Sequence, residues 1–299
     1  MVVYKEVKMS EELRNYGWRK DKYNPLAKLH APTVPVKETP SYFSMESYLP
    51  YVRNQGSSSS CVGHGVGGTL GTVSKQLSCF KEWDSPLWIY NGARYMEGWL
   101  AQDCGCYPED ALKWVTDMGR LVESYWPYTG FDPATPTSNG RGERAFKNGN
   151  FVVVRVADGI DGIVSALAEG HPVNIGTPWA SSWGSYKEGI LPEITKDSSI
   201  AGGHDTFLYG YDKTSNVFFG QNSWGVNWGD KGKYKMPMNC FTVFKQMGGY
   251  DAHYIAFVCD PITPDPIDPV KPHCNCSKAI VKTLNAIGKP WMHGKFEYK

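Results

Sequence analysis

Residues 61–77 read CVGHGVGGTLGTVSKQL, and this stretch decides how the chain folds. Its apolar side chains recur at helical spacing and form one stripe, made of Val62, Val66, Leu70, Val73 and Leu77. The same stretch holds five glycines, at positions 63, 65, 67, 68 and 71. Each glycine costs a helix about 1 kcal/mol relative to alanine. We therefore predict a helix whose glycine face packs closely against a neighbouring element, because only such packing offsets that cost.

The composition around this helix is that of a globular protein with balanced charge. The chain has 299 residues, 31 Lys and Arg against 30 Asp and Glu, and a formal net charge of +1. Balanced charge removes the usual electrostatic argument for binding nucleic acid or an anionic membrane. No apolar run approaches the roughly 18 residues of a membrane span, and the first residues lack the apolar core of a secretory signal. We expect no nucleic-acid partner, no membrane span and a cytoplasmic location in the producing cell.

Prolines and polarity divide the chain into four parts. Residues 1–42 are polar and interrupted by prolines, which predicts an arm that lies over a domain. Residues 43–260 carry mixed helix and strand signals and form the main domain. Residues 261–272 contain five prolines, typical of a stiff linker. Residues 273–299 form a tail whose short helix, at 277–287, is too short to be stable alone, so we expect it to dock on a partner.

Within the main domain, helical patterns come first and strand patterns follow. Besides the glycine-rich helix, helices are predicted at 111–118 and 162–169. Strands are predicted at 152–156, 173–176, 206–211, 217–220 and 254–258. Segregated helices and antiparallel-looking strands predict an α+β fold.

The chemistry that the sequence supports best starts from Cys61. It begins the glycine-rich helix directly after Ser59 and Ser60, which are natural helix caps, and a helix N-terminus stabilises a thiolate. An activated thiol also needs an imidazole base and a group that orients the imidazole. His204 begins a predicted strand, which would hold such a base rigidly. Asn222 begins NSWGVNWGDKG, so its amide oxygen can accept the imidazole N–H while a tryptophan ring keeps water away.

These segments resemble the papain family of cysteine peptidases. The resemblance is carried by VRNQGSSSSC at 52–61, by Gly-His at 203–204 with Gly-Tyr at 210–211, and by the Asn-Ser-Trp-Gly segment at 222–225. They stand in the family's order and at its spacing. The resemblance implies a two-lobed fold, with a helical half, a β-barrel-like half and the active-site cleft between them. It also implies an endopeptidase that hydrolyses peptide bonds of a peptide or protein substrate and needs no cofactor or metal.

The resemblance also implies a role for each matching residue. Cys61 would be the nucleophile, His204 the base and acid, and Asn222 the group that orients the imidazole. Gln55 would stabilise the oxyanion together with the backbone N–H of Cys61. Substrate-binding positions would be Gly105, Tyr107 and Trp224.

The chain departs from the family pattern at several positions. Ser58 stands where the family has a disulfide-forming cysteine, and Asp103 stands at the position of its partner. Val62 replaces an aromatic residue, and Cys106 replaces the second glycine of the substrate-binding pair. The 60 residues before Cys61 leave too little room for the family's long inhibitory prosegment. Tyr-Gly-Trp at 16–18 is instead similar to the short N-terminal arm of some bacterial and viral members.

Several alternatives remain open at this stage. His64, one helical turn after Cys61, is a rival base. The same catalytic residues could cleave the peptide cross-links of a bacterial cell wall. The domain could instead be a structural module in a larger particle such as a virion, with the arm and tail as its attachment points. The Cys-x-Cys pairs at 104–106 and 274–276 could chelate zinc, but zinc sites more often space their thiols as C-x2-C, so we expect free or paired cysteines.

Overall fold

The computed structural model describes residues 16–77, 82–145, 150–157 and 159–258. The helices are α1 Cys61–Gln76, α2 Pro86–Met96, α3 Pro108–Met118, α4 Arg141–Arg144, α5 Gly159–Ala168 and α6 Cys240–Gln246. The strands are β1 Tyr42–Ser44, β2 Asn150–Arg155, β3 Val173–Ala180, β4 Ile200–Asp212, β5 Val217–Gln221, β6 Lys233–Pro237 and β7 Asp251–Val258. Within this part of the chain, no helix is both long and apolar enough to cross a membrane.

All seven strands form one antiparallel sheet. Its order is β2-β7-β3-β4-β5-β6, and β1 pairs with β4 off this path. In the middle of the sheet, β3 pairs with β4 along its whole length, so Gly176 lies opposite Asp205 and Thr177 opposite His204. On its other side Gly176 lies opposite Asp251 of β7. Asp251 of β7, Gly176 of β3 and Asp205 of β4 therefore lie side by side across the sheet.

Two hydrophobic cores give the molecule two lobes. The core of the helical lobe surrounds α1, α2 and α3, and its buried residues include Val62, Val66, Leu70, Trp88 and Trp114. The core of the sheet lobe lies between the sheet, α5 and α6, and its buried residues include Trp179, Trp183, Phe218, Phe241 and Phe244. The predicted α+β fold with two lobes is confirmed.

The glycines of α1 allow the two lobes to approach closely. A Cβ atom on Gly65 would lie 2.0 Å from Oδ1 of Asp205, and one on Gly68 would lie 2.3 Å from the ring of Phe207. Both neighbours belong to β4. On the opposite side, a Cβ atom on Gly63 would lie 2.5 Å from the backbone oxygen of Pro86 at the start of α2. The sequence-based expectation of a close neighbour on the glycine face is therefore confirmed, and the neighbours are β4 and α2.

The elements predicted within the described residues are present, with bounds that differ by a few residues, but several others were missed. The helix α2 is one of them, although Ser85 and Pro86 are a typical helix start. The Ser85 hydroxyl accepts the backbone N–H of Trp88 at 3.2 Å and Pro86 occupies the first turn. The strands β1 and β6 and the helix α6 were also missed, because each is seven residues or shorter and gives little periodic signal.

Some predictions fall outside the described residues. The proline-rich linker at 261–272, the tail at 273–299 and its Cys-x-Cys pair belong to this group. The arm is described from residue 16, and up to residue 41 its helical structure is a single 3-10 turn, Val36–Glu38. The division of the chain into arm, domain, linker and tail stays a prediction, as does a partner for the arm or tail.

The close contact between α1 and β4 predicts opposite effects for two adjacent glycines. Gly68→Ala should lower the free energy of unfolding by about 1–3 kcal/mol, because the new methyl group overlaps the buried ring of Phe207. Gly67→Ala is the matched control, since its Cβ would meet only Ile89, at 3.4 Å. The control should be neutral or stabilising by up to about 1 kcal/mol, because alanine is the better helix former. Urea denaturation of both variants measures this, and equal midpoints would contradict the proposed packing.

Candidate active site

Cys61 is the first residue of α1 and is fully buried at the boundary between the lobes. Burial, followed by the Asp205 carboxyl group, raises the pKa of its thiol to about 12, although backbone N–H groups of Asp205, Gly17 and Val62 act to lower it. The helix N-terminus alone would favour the thiolate. In this structure the burial has the larger effect, so the thiol is protonated at neutral pH. The predicted serine cap is absent, since Ser60 occupies the cap position without a capping hydrogen bond.

His204 lies on β4, the strand that contacts α1. Its Nε2 lies 2.7 Å from Oδ1 of Asn222, so Nε2–H donates to the amide oxygen. The ring of Trp224 lies 4.5 Å from the imidazole and that of Trp179 lies 4.8 Å away, measured between centroids. His204 is fully buried and Asn222 is 3% exposed, so the tryptophans keep water from this hydrogen bond. The predicted partnership between His204 and Asn222 is thus present in the geometry.

The thiol and the imidazole belong to facing elements. The backbone N–H of Asp205, the residue directly after His204, is one of the groups that act on the Cys61 sulfur. The glycine face of α1 brings β4 this close, because Gly65 in the second turn contacts the Asp205 side chain. The structure therefore sets the Cys61 sulfur beside the residue that follows His204, and it joins His204 to Asn222 by a hydrogen bond.

Gln55 connects the start of α1 with the loop that follows Asn222. Its Nε2 donates to the backbone oxygen of Ser58 at 2.8 Å, and its Oε1 accepts the hydroxyl of Ser223 at 2.6 Å. Its backbone N–H donates to the oxygen of Ser223 at 2.8 Å. Gln55 is 1% exposed, so these contacts fix its carboxamide beside the N-terminus of α1.

The predicted substrate-binding residues lie in different surroundings. Gly105 has a left-handed φ of +75°, and a Cβ atom there would lie 2.0 Å from the backbone oxygen of Gly17. Tyr107 directly precedes α3, and its ring lies 5.7 Å from that of Trp99. Trp224 is buried against His204 instead of lining an open wall.

Residues 16–21, called here the cleft segment, run between the two lobes across this site. Gly17 accepts the backbone N–H of Cys106 at 3.0 Å, and Cys106 accepts the backbone N–H of Arg19 at 3.1 Å. On the sheet side, Trp18 donates its backbone N–H to Gly203 at 2.9 Å. The cleft segment therefore forms hydrogen bonds with the backbone of both cleft walls. The sequence did not predict that the backbone of Cys106 takes part in this pairing.

The replaced disulfide has a polar substitute in the same place. Asp103 accepts the Ser58 hydroxyl at 3.3 Å and the backbone N–H of Ser59 at 3.0 Å, and the Tyr90 hydroxyl donates to it at 2.7 Å. The two departures from the family pattern therefore meet in space. They tie the loop before α1 to the loop before α3 without a covalent bond.

His64 contacts the loop that precedes α1. Its Nδ1 lies 3.0 Å from the backbone oxygen of Ser60, and its ring lies 4.5 Å from that of Tyr128. Burial lowers the pKa of His64 to about 3, so the ring is neutral. This environment suits a packed core histidine better than a catalytic base.

The described cysteines give no sign of metal binding. Cys61, Cys104, Cys106 and Cys240 are free thiols in the part of the chain that the structure describes. Within the same residues, no three His, Cys, Asp or Glu side chains are arranged to hold a metal ion. The second Cys-x-Cys pair lies outside the described residues.

Comparison with known proteins identifies the family. The sequence pattern of the papain family of cysteine proteases matches residues 44–247, more than half of the chain. This chain belongs to the papain family. Among its members, the chain is 26% identical over 189 residues to an uncharacterized peptidase C1-like protein of Acanthamoeba polyphaga mimivirus, a match that covers 60% of each chain. It is 28% identical over 208 residues to cysteine proteinase 3 of Entamoeba histolytica, covering 67% of this chain and 63% of that protein. The chain thus spans about 60% of the length of these curated relatives.

Solved structures of the papain family share the fold. Xylellain, a cysteine protease from Xylella fastidiosa, superposes with a TM-score of 0.72 at 25% identity, covering 84% of this chain and 99% of xylellain. Digestive procathepsin L 3 of Tenebrio molitor superposes with a TM-score of 0.62 at 18% identity, covering 83% of this chain and 77% of that one. The second likeness is one of fold alone.

The position of the cleft segment predicts that a single methyl group exposes the thiol. A Cβ atom on Gly17 would lie 1.8 Å from the backbone oxygen of Ser59, and a backbone atom cannot give way as the end of a flexible side chain can. Gly17→Ala should therefore displace the cleft segment and increase the rate at which a small alkylating reagent modifies Cys61 by about tenfold or more. Leu26→Ala, at an arm residue that is 91% exposed, is the control. Equal modification rates in the two variants would mean that the cleft segment does not protect the thiol.

Asp21 gives the docking of the cleft segment a dependence on pH. Its carboxylate accepts the backbone N–H of Glu109 at 3.0 Å and lies 3.4 Å from Nε2 of His253, whose pKa burial lowers to about 3. Burial, followed by the Asp251 and Glu109 carboxylates, raises the pKa of Asp21 to about 8, although Arg155 and the hydrogen bond act to lower it. Undocked, Asp21 has its ordinary pKa of 3.8. Between pH 3.8 and about pH 8, the docked form therefore holds one more proton than the undocked form.

Docking should accordingly weaken as the pH rises. The extra proton makes its full contribution to the free energy of docking below about pH 4, and this contribution is lost as the pH rises through about 8. We expect the hydrogen-exchange protection of the Trp18 and Arg19 backbone N–H groups, corrected for the intrinsic exchange rate, to be lower at about pH 9 than at about pH 5. Asp21→Asn should make this protection much less dependent on pH. An identical pH dependence in both chains would remove Asp21 from this role.

Proposed function

We propose that this protein is a cysteine endopeptidase that hydrolyses peptide bonds, with Cys61 as nucleophile. The strongest support is the hydrogen bond between His204 and Asn222, because His204 lies on the strand that faces the Cys61 end of α1. A nucleophile, a base and a group that orients the base are the minimum set for acyl transfer through a thiol. Membership in a family of cysteine proteases supports the same reaction.

In the proposed mechanism, His204 takes the thiol proton and Cys61 attacks the carbonyl carbon of the substrate. Because Nε2 donates to Asn222, the proton transfer is assigned to Nδ1. His204 then passes the proton to the leaving amine, whose departure leaves a thioester on Cys61. Water activated by the same imidazole hydrolyses the thioester, releases the acid and restores the thiol.

Gln55 and the backbone N–H of Cys61 are the proposed donors to the oxyanion. A backbone N–H at a helix N-terminus points outward and is available to an anion. The Gln55 carboxamide is positioned beside it by Ser58 and Ser223, so it needs no reorganisation when the negative charge develops. Fixed donors of this kind are worth about 10²–10³ in kcat each.

A thiol-directed epoxide probe tests this function. Modification at Cys61 should be detectable by mass spectrometry in the wild-type chain and faster in Gly17→Ala, where the thiol is exposed. In that exposed background, Cys61→Ala should remove the labelling, and His204→Ala should slow it by about a hundredfold or more, because the thiolate is no longer formed by a neighbouring base. Cys240→Ala, which removes another buried free thiol, is the matched control and should label normally.

Two outcomes would contradict the proposed function. One is equal labelling with and without His204, which would mean that the thiol is not activated. The other is the absence of cleavage of any peptide in a diverse library by the Gly17→Ala chain. In either case the domain would serve a structural role.

A further inference from the structure

A small cavity lies between the glycine face of α1, the strand β4 and the loop that follows β5. Gly65 and Gly68 line it on the side of α1, where the absence of side chains leaves the space open. The centre of a water molecule can occupy about 10 Å³ there, which is room for one water molecule. His64, Asp205 and Asn222 also line the cavity, and each is at most 4% exposed. Three buried polar side chains therefore border one small space.

Asn222 brings a hydrogen-bond donor to this cavity. Its Oδ1 accepts Nε2–H of His204 at 2.7 Å and the backbone N–H of Ser223 at 2.7 Å. Because a backbone N–H can only donate, the Ser223 contact fixes which end of the carboxamide is the oxygen. The other end, Nδ2, is buried and has no hydrogen-bond partner among the described residues. A buried donor without a partner is unfavourable, so a partner is expected in the cavity.

His64 and Asp205 bring acceptor atoms. Nδ1 of His64 lies 3.0 Å from the backbone oxygen of Ser60, which can only accept, so Nδ1 carries the ring proton. Burial lowers the pKa of His64 to about 3, so the ring is neutral and its Nε2 has a free lone pair. In Asp205, Oδ1 accepts the side-chain N–H of Asn174 at 2.7 Å. Neither Nε2 of His64 nor Oδ2 of Asp205 has a hydrogen-bond partner in the part of the chain that the structure describes, and both atoms are buried.

One donor and two acceptors around so small a space favour water over an ion. A cation would be repelled by the N–H of Asn222 and by the guanidinium of Arg53, which also lines the cavity. An anion would face the lone pair of His64 and the Asp205 carboxyl group. Water both accepts and donates, and buried water molecules typically make about three hydrogen bonds. Burial raises the pKa of Asp205 well above its ordinary value, and water can bond to the protonated or the ionised carboxyl group.

We propose that this cavity binds one water molecule, which accepts Nδ2–H of Asn222 and bonds to Nε2 of His64 and Oδ2 of Asp205. The water holds the Asn222 carboxamide in the orientation in which its oxygen accepts the His204 N–H. His64 and Asp205 are thereby positioning residues, which act on His204 through the water and Asn222. Their effect on catalysis rests on the proposed peptidase function, whereas the water site itself does not.

A high-resolution crystal structure of the full-length chain tests the water site directly. We expect one ordered water whose oxygen lies about 2.7–3.2 Å from each of the three atoms. A cavity without ordered water would overturn the proposal, and so would a water that contacts Asn222 alone. This measurement needs no enzymatic activity, so its outcome is independent of the proposed function.

Two variants of His64 separate its contact with the water from its contact with Ser60. An asparagine amide takes the position of Nδ1, so His64→Asn keeps a donor for Ser60 and loses the acceptor for the water. A glutamine amide reaches the position of Nε2, so His64→Gln keeps the acceptor and loses the donor. We expect crystal structures to show the water in His64→Gln and not in His64→Asn.

Peptide cleavage by the same two variants, each in the Gly17→Ala chain, tests the positioning role. We expect kcat to be about tenfold lower in His64→Asn than in His64→Gln, with similar KM, because Asn222 orients the base during the chemical step. Urea denaturation shows that both variants are folded. Equal kcat would overturn the positioning role, and so would the reverse order, which a purely structural contact with Ser60 predicts. If neither variant nor the Gly17→Ala chain cleaves any peptide, the proposed function fails, and the crystal structures still decide the water site.

Discussion

The contact between the glycine face of α1 and the strand β4 is the constraint on which the rest of the structure depends. Gly65 and Gly68 let the helix lie against Asp205 and Phe207 at distances that any side chain would prevent. This contact joins the two lobes, and it sets the first residue of the helix, Cys61, against the strand that carries His204. The glycines destabilise the helix, but the close approach requires them. A thiol and an imidazole on separate elements react only when those elements are close.

The same closeness explains the electrostatics of the site. The thiol lies among buried groups, and the cleft segment covers it from the solvent side. Burial favours the neutral form of a thiol, so the helix N-terminus and three backbone N–H groups do not suffice to ionise it while the segment is docked. We therefore expect the reactivity of Cys61 to depend on the position of the cleft segment. Because burial raises the pKa of Asp21, we expect that position to depend in turn on pH.

Several residues that differ from the family pattern hold the loops around the cleft with different chemistry. Where the family has a disulfide, hydrogen bonds from the loop before α1 and from Tyr90 converge on Asp103. Such bonds hold the loop without depending on an oxidising environment. In the second glycine position, Cys106 supplies its backbone N–H and carbonyl to the cleft segment, a pairing that uses no side chain.

The sequence by itself determined the glycine-rich helix, the α+β class and the residues Cys61, His204, Asn222 and Gln55 as one candidate set. Helical periodicity and the Asn-Ser-Trp-Gly segment are local patterns, which can be recognised from the sequence without coordinates. Short elements such as β1 and β6 were missed because so few residues carry little periodic signal, and pairing with β4 and β5 stabilises them. Only the tertiary structure decided that residues 16–21 occupy the cleft, that Trp18 reaches Asp251, and that burial raises the pKa of Cys61. Each of these depends on contacts between residues more than 40 positions apart, which no spacing within the sequence encodes.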